Sequence, residues 1–233
     1  QFAWLIVALR RAGIALRLPR PRLTPRVKHM LVIIAPAALG AGIAQVNLVV
    51  DVIIASLLPE GAVSFLYYAD RINQLPLGVI GVAVGTALLP LLSRQLRAAE
   101  DEAAGHSQNR AIEGALLLTL PAAAALMIIA EPTISVLFER GAFTSVATVA
   151  TADALIAYAA GLPSFVMIKV LVPGYFARQD TKAPVRIAVV CLVINVALNL
   201  ILMGPLGHVG IALATSLSGW LNAALLARGL HRR

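Results

Sequence analysis

Residues 65–90 read FLYYADRINQLPLGVIGVAVGTALLP, and the adjacent pair Asp70 and Arg71 interrupts this long apolar run. A charge at bilayer depth costs about 2.5–3.5 kcal/mol on insertion scales, so such residues usually serve a purpose. On a helix, Tyr67, Arg71, Gln74 and Gly78 follow at intervals of four, three and four and share a face, with Asp70 and Asn73 flanking it. A face of this kind suits a water-filled cavity that meets a polar or anionic ligand. Arginine fits phosphate because its planar fork donates two parallel hydrogen bonds and stays charged. The competing account is that Asp70 and Arg71 neutralise charges on neighbouring helices and only hold a bundle together. Lys169 is the other basic residue inside an apolar segment.

A second polar set holds only oxygen-bearing groups. Asp51 lies in one apolar segment, Asn195 and Asn199 stand four apart in another, and Thr215 lies beyond the short Gly204–Gly210 turn. A hard cation such as Na⁺ accepts such ligands, with backbone carbonyls completing the shell. Spacing alone favours ordinary interhelical hydrogen bonding. Catalysis has little support. His29, His106, His208 and His231 lie at segment ends or in loops, and no His–carboxylate cluster appears. Gly78, Gly81 and Gly85 are no phosphate loop, since Lys and Ser/Thr are missing and no strand precedes them; all three read as packing glycines, with Gly81-x-x-x-Gly85 as a small-residue seam. The single cysteine, Cys191, forms no internal disulfide and no metal site. No catalytic residue and no cofactor beyond a Na⁺ ion is expected.

These residues need elements to hold them. The 233 residues are 60% hydrophobic and 13% charged, against about 25% charge in a soluble domain. The apolar residues recur in blocks of membrane-spanning length, the pattern of an all-α, polytopic membrane bundle. A stub is expected over 2–9, then six spans at 29–58, 62–92, 112–130, 146–176, 185–203 and 207–228, with proline kinks at Pro36, Pro76, Pro121, Pro163 and Pro173. The domain reading is a preceding helix end and basic loop (1–28), a six-helix lobe (29–228) and a basic tail (229–233). The opening QFAWLIVALR reads as the tail of a helix whose start is missing, so the chain reads as a fragment. Sixteen of the nineteen Lys and Arg residues fall in one set of alternate loops, which assigns those loops to the cytoplasm. That asymmetry accounts for the net charge of +8, and no nucleic-acid motif accompanies it.

Several stretches together resemble the signature of the MurJ/MviN lipid II flippases, within the multidrug/oligosaccharidyl-lipid/polysaccharide exporter superfamily. They are Tyr67-Tyr68-Ala69-Asp70-Arg71 with Pro76, Gly78, Gly81, Gly85-Thr86 and Leu88-Leu89-Pro90; Leu137-Phe138-x-x-Gly141-x-Phe143-Thr144; Ala154-Leu155-Ile156-Ala157-Tyr158; and Lys169-Val170-Leu171-x-Pro173-Gly174-x-x-x-Arg178-Gln179-Asp180. The resemblance covers nearly the whole chain. It implies the second lobe of a two-lobed transporter of about fourteen spans, with the first lobe and the last two helices outside this sequence. It further implies that Arg71 meets the pyrophosphate of lipid II, an undecaprenyl-linked peptidoglycan precursor, during alternating access. Asp70, Tyr67, Gln74 and Lys169 are the accompanying substrate-side candidates. Sodium-dependent relatives bind the ion through positions that align with Asp51, Asn195, Asn199, Thr215 and the carbonyl of Ile211. Asn199 departs from relatives that carry an acid there, which removes a negative charge from the set. The implied location is the bacterial inner membrane, in a role in cell-wall and cell-shape biogenesis, with membrane lipid and the missing first lobe as partners. The alternatives are an exporter of drugs or of another polyprenyl-linked oligosaccharide, and a non-transporting membrane scaffold.

Overall fold

The structure, a computed structural model, describes residues 45–231 continuously and a few isolated positions before them. The chain divides into two units, 1–35 and 36–233, and residues 45–231 belong to the second. The stub over 2–9, the basic loop before the first span, Pro36 and most of the first half of that span lie outside the described residues.

The described part is helical: α1 (Gln45–Ala55), α2 (Ala62–Arg97), α3 (Asp101–Ile128), α4 (Ala130–Phe138), α5 (Ser145–Ala177) and α6 (Lys182–His231). No strand occurs among the described residues. Long apolar helices with every backbone group paired internally are what a bilayer permits. Four of them, α2, α3, α5 and α6, are long and apolar enough to cross one.

Helix α6 is a hairpin rather than a 50-residue rod. Gly207 has φ 57° and ψ −133°, which breaks the helical path. Beyond it the chain folds back so closely that a Cβ on Gly210 would strike the Leu202 carbonyl. Ser218 Oγ then donates to the Cys191 carbonyl at 3.0 Å. Residues 27 apart on a straight helix would be separated by about 40 Å. The two arms of α6 are therefore separate passes; with α2, α3 and α5 they make five, and α1 is the described part of the remaining expected span.

Two boundaries differ from the hydropathy reading. Helix α3 starts at Asp101 rather than near 112, because its first three turns are polar and invisible to an apolar window. Asp101 and Glu102 suit the positive end of the helix dipole. Gln95 Nε2 donates to Ser107 Oγ at 3.1 Å, and Gln108 Nε2 to the Val170 carbonyl at 2.7 Å. The stretch Glu131–Phe143, read as a loop, contains α4. Its proline, Pro132, sits in the first turn, where a missing N–H costs nothing, and Ile134 is fully buried. Nine residues reach about 13 Å, too short to span.

Helix α5 packs against α2, α3, α4 and α6. Its buried face is rich in small residues (Ala152, Ala154, Ala157, Ala159, Gly161), so neighbouring backbones approach closely. Ser216 Oγ donates to the Ala157 carbonyl at 2.6 Å, and Trp220 Nε1 to that of Ala160 at 3.0 Å. A Cβ on Gly161 would lie 2.9 Å from the Ser216 Cα, a backbone atom that cannot swing aside. Gly161→Val is therefore expected to destabilise the lobe by about 1–3 kcal/mol, seen as a lower melting temperature in detergent, while Gly105→Ala, with open space around it inside α3, holds or slightly raises that temperature.

The polar cross-links sort by end. Gln95–Ser107, Gln108–Val170 and the Tyr175 hydroxyl donating to Leu226 (2.7 Å) tie together the end that carries Arg94, Arg97, Arg178, Lys182 and Arg228. At the other end, His208 Nε2 lies 2.8 Å from the Ala150 carbonyl with its ring edge-on to Phe65, and Thr148 donates to Glu139 at 3.0 Å. His208, expected at an interface, clasps the hairpin turn to α5. The charge asymmetry predicts that a cysteine at Glu60 or Ser145 is labelled from outside intact cells and one at Glu102 is not. Outside labelling at Glu102 would invert the assignment.

Candidate functional site

A cavity of about 580 Å³ opens among α1, α2, α5 and the second arm of α6. Tyr67, Asp70, Arg71, Gln74 and Lys169 all line it, as does Asp51. The face predicted on α2 is thus a cavity wall. Arg71 is exposed there, and its guanidinium carbon stands 4.8 Å from the Tyr67 ring centroid. This stacking holds the planar fork by its face and leaves its N–H edge open. Arg71 Nη1 donates to Gln74 Oε1 at 3.3 Å, and Gln74 Nε2 donates to Asp70 Oδ2. Asp70 and Arg71, pointing apart as neighbours on a helix must, are therefore joined through Gln74. Among the described residues the guanidinium spends one of its five donors, and it lines the cavity.

Lys169 reaches the same cavity from α5, its methylene stem laid over Gly81 so closely that a Cβ there would collide with Cδ. Gly81 is a packing position, but its neighbour is a side chain rather than a second helix backbone. Gly78 is not packing: nothing lies within 4 Å of its missing Cβ, and it lines the cavity. Two polar residues outside the expected substrate-side set also line it. Tyr158 is 7% exposed and Asn73 2%, and Asn73 Oδ1 has no partner among the described residues. The sequence places Asn73 only beside the α2 face and Tyr158 only within a family motif.

Next to this cavity the second polar set comes together. Asn199 Nδ2 donates to Asp51 Oδ1 at 2.6 Å and to Asn195 Oδ1 at 3.0 Å. Thr215 Oγ1 lies 3.3 Å from Asp51 Oδ2 and 3.0 Å from the Ile211 carbonyl, and Asn195 Nδ2 reaches Thr215 at 3.5 Å. The i,i+4 spacing aligns Asn195 with Asn199, and the hairpin at Gly207 carries Thr215 and Ile211 up to them. Asn47, one turn before Asp51, donates to its Oδ2 at 3.3 Å and was not foreseen.

The donor set fits a hard monovalent cation. Asp51, Asn195, Thr215 and the Ile211 carbonyl converge, and all supply oxygen. The Asn199 amide nitrogen sits among them as a positive group would, while its own Oδ1 is buried without a partner. Turning that amide over would direct Oδ1 at the same oxygens, an arrangement that a cation between them, or a proton on Asp51, would relieve. No group of three His, Cys, Asp or Glu occurs among the described residues, so nothing resembles a transition-metal centre.

Comparison with known proteins agrees across the chain. The family model described as "Lipid II flippase MurJ" matches residues 1–233. The "Probable lipid II flippase MurJ" of Rhizobium meliloti (strain 1021) is 51% identical over 226 residues, covering 97% of this chain and 42% of that protein. The protein of the same description from Vibrio cholerae serotype O1 is 42% identical over 231 residues, 99% of this chain and 44% of that one. The solved structure "Lipid II flippase MurJ, inward closed conformation" superposes with TM-score 0.78 at 31% identity, over 91% of this chain and 45% of that chain. An outward-facing multidrug MATE transporter superposes with TM-score 0.72 at 19% identity, over 84% and 43%, a likeness of fold alone. The chain spans less than half the length of these relatives.

Proposed function

Since the chain belongs to the lipid II flippase MurJ family, as a multi-pass segment of the bacterial inner membrane, we propose that it forms one lobe of a transporter that moves lipid II across that membrane by alternating access. The observation that carries this reading is the exposed, Tyr67-stacked Arg71 fork lining the cavity. Arg71 stands nine residues, or about 14 Å, from the start of α2. A diphosphate offers this fork the paired oxygens it matches, and each charge pair is worth about 4 kcal/mol at 4 Å in a medium of effective dielectric 20. Tyr67 orients the guanidinium, Gln74 braces it, Asp70 holds Gln74, and Lys169 adds a second positive group across the cavity.

The Asp51–Asn195–Asn199–Thr215 cage, with the Ile211 carbonyl, is proposed as a Na⁺ site that ties this lobe's conformation to the ion gradient. When bound, the ion supplies a positive charge that neutralises Asp51. The cage residues join α1 to both arms of α6, so a ligand that prefers one spacing of these helices shifts the lobe toward it. No catalytic step is required: the cavity binds and releases, and no covalent bond changes.

A segment exchange tests the assignment. Placing this chain in the Rhizobium meliloti relative, in place of the 226-residue match, is expected to keep that relative's ability to sustain growth of cells depleted of their own flippase. Failure of an exchange protein that inserts and accumulates normally would count against the assignment.

A further inference from the structure

The cage has a second side. Behind it, a separate cavity of about 530 Å³ lies among α1, α5 and the two arms of α6. Asn47, Phe165 and Thr215 line both cavities, so the cage sits in the wall between them. The main cavity runs toward the end with few basic residues, since Val63 lines it. The second runs the other way: Phe176, Pro184 and Leu226, beside the basic Arg178, Lys182 and Arg228, line its far part.

Its walls are mostly apolar, but one stripe is not. Thr215, Ser218 and Asn222 follow at intervals of three and four on the second arm of α6 and share a face. They extend about 10 Å from the cage toward the basic end. Cys191 and Asn195, one turn apart on the first arm, face the same cavity. Ser218 gives its proton to the Cys191 carbonyl and keeps its lone pairs for another donor or a cation.

We propose that this second cavity is the cation's own route between the cage and the basic-loop end of the lobe, with Asn47 as the partition and Ser218 and Asn222 as the oxygen ligands along it. The proposal rests on the cage being a Na⁺ site and goes beyond it. A carboxylate with one cavity on each side can exchange its ion toward either membrane face without the ion passing the Arg71 fork. Asn47, half-buried and bonded to Asp51, is the side chain whose rotation would open or close the way between the cavities.

Cys191, the sole cysteine of this chain, reports on the route. The intact transporter, with any cysteine outside this chain replaced, is placed in vesicles of each orientation and treated with a small ammonium-bearing methanethiosulfonate. Modification of Cys191 is expected from the basic-loop side only. Na⁺ in place of K⁺ should slow it about fivefold, because a charge within about 10 Å repels the cationic reagent, and should slow an uncharged methyl reagent less. Moving the reporter by Cys191→Ser with Asn222→Cys should give the same sidedness, which covers the chance that Cys191 itself is too enclosed to react. Heat stability in Na⁺ and K⁺ is measured on the same samples. Modification of both reporters only from the opposite side, or at a Na⁺-independent rate in a protein that Na⁺ stabilises, overturns the route and leaves the cage standing. Absence of Na⁺ stabilisation overturns the cage, and the route with it.

Discussion

Arg71→Ala in the intact transporter is expected to abolish growth in cells depleted of their own flippase, while the variant inserts and accumulates normally. Arg71 is exposed in the cavity, stacked on Tyr67 and bonded to Gln74, so its truncation leaves no buried void. What disappears is the planar set of donors. Charge-assisted hydrogen bonds contribute about 1.5–3 kcal/mol each, so losing a bidentate pair lowers affinity by about two to four powers of ten. Arg71→Lys should recover little, because an ammonium keeps the charge but neither the fork nor the ring stacking. Gln74→Leu should weaken function less, since it frees the guanidinium from its brace without removing it. Normal complementation by Arg71→Ala would return Arg71 to a charge that only holds helices together.

The other large effect belongs to the cage. Na⁺ is expected to stabilise the purified transporter against heat more than K⁺ at equal ionic strength. A site filled at one hundred times its dissociation constant adds about 2.7 kcal/mol. Asp51→Ala should remove that difference altogether, because the only formal negative charge among the cage residues goes with it. Asn199→Asp should enlarge it at low Na⁺, by adding a second carboxylate where Oδ1 now lies buried and unpaired. Equal melting temperatures in Na⁺ and K⁺ for the unmutated protein would leave Asp51 as a helix-bundling residue held by Asn199 and Thr215.

The fold was legible wherever length and hydropathy act together. The limits of α5, at 145 and 177, differ by a single residue from those read in the sequence, because the run from Ser145 to Ala177 is predominantly apolar, with only Asp153 and Lys169 charged, and is bounded by polar turns. The hairpin in α6 was legible from Gly204, Pro205 and Gly207 between two apolar runs. Polar helical turns outside the bilayer were not: the start of α3 depends on Gln95–Ser107 and Gln108–Val170 contacts that no local window contains. Helix α4 was hidden because Glu131 and Pro132 look like a loop until Ile134 is seen buried.

The site divides in the same way. The α2 face followed from spacing on one helix, and the pairing of Asn195 with Asn199 from a single turn. Asn47 stands four before Asp51, a spacing that puts both on one helix face and is a local signal. Two residues needed tertiary information. Tyr158 and Asn73 join the cavity only because α5 lies against α2, a contact without a local sequence signal. Gly78 and Gly81 read alike in sequence, and only the presence or absence of Lys169 beside them separates a packing glycine from a cavity glycine.

The most direct test of the Arg71 cavity is translocation of lipid II in vesicles reconstituted with the intact transporter, scored by exposure of the labelled headgroup to a membrane-impermeant reagent. The unmutated protein should expose lipid II, Arg71→Ala should not, and a polyprenyl-linked cargo of the same size without the diphosphate should stay behind in both. Equal movement of the two cargoes, or equal movement of lipid II by the two proteins, would contradict the assignment of the cavity to the diphosphate.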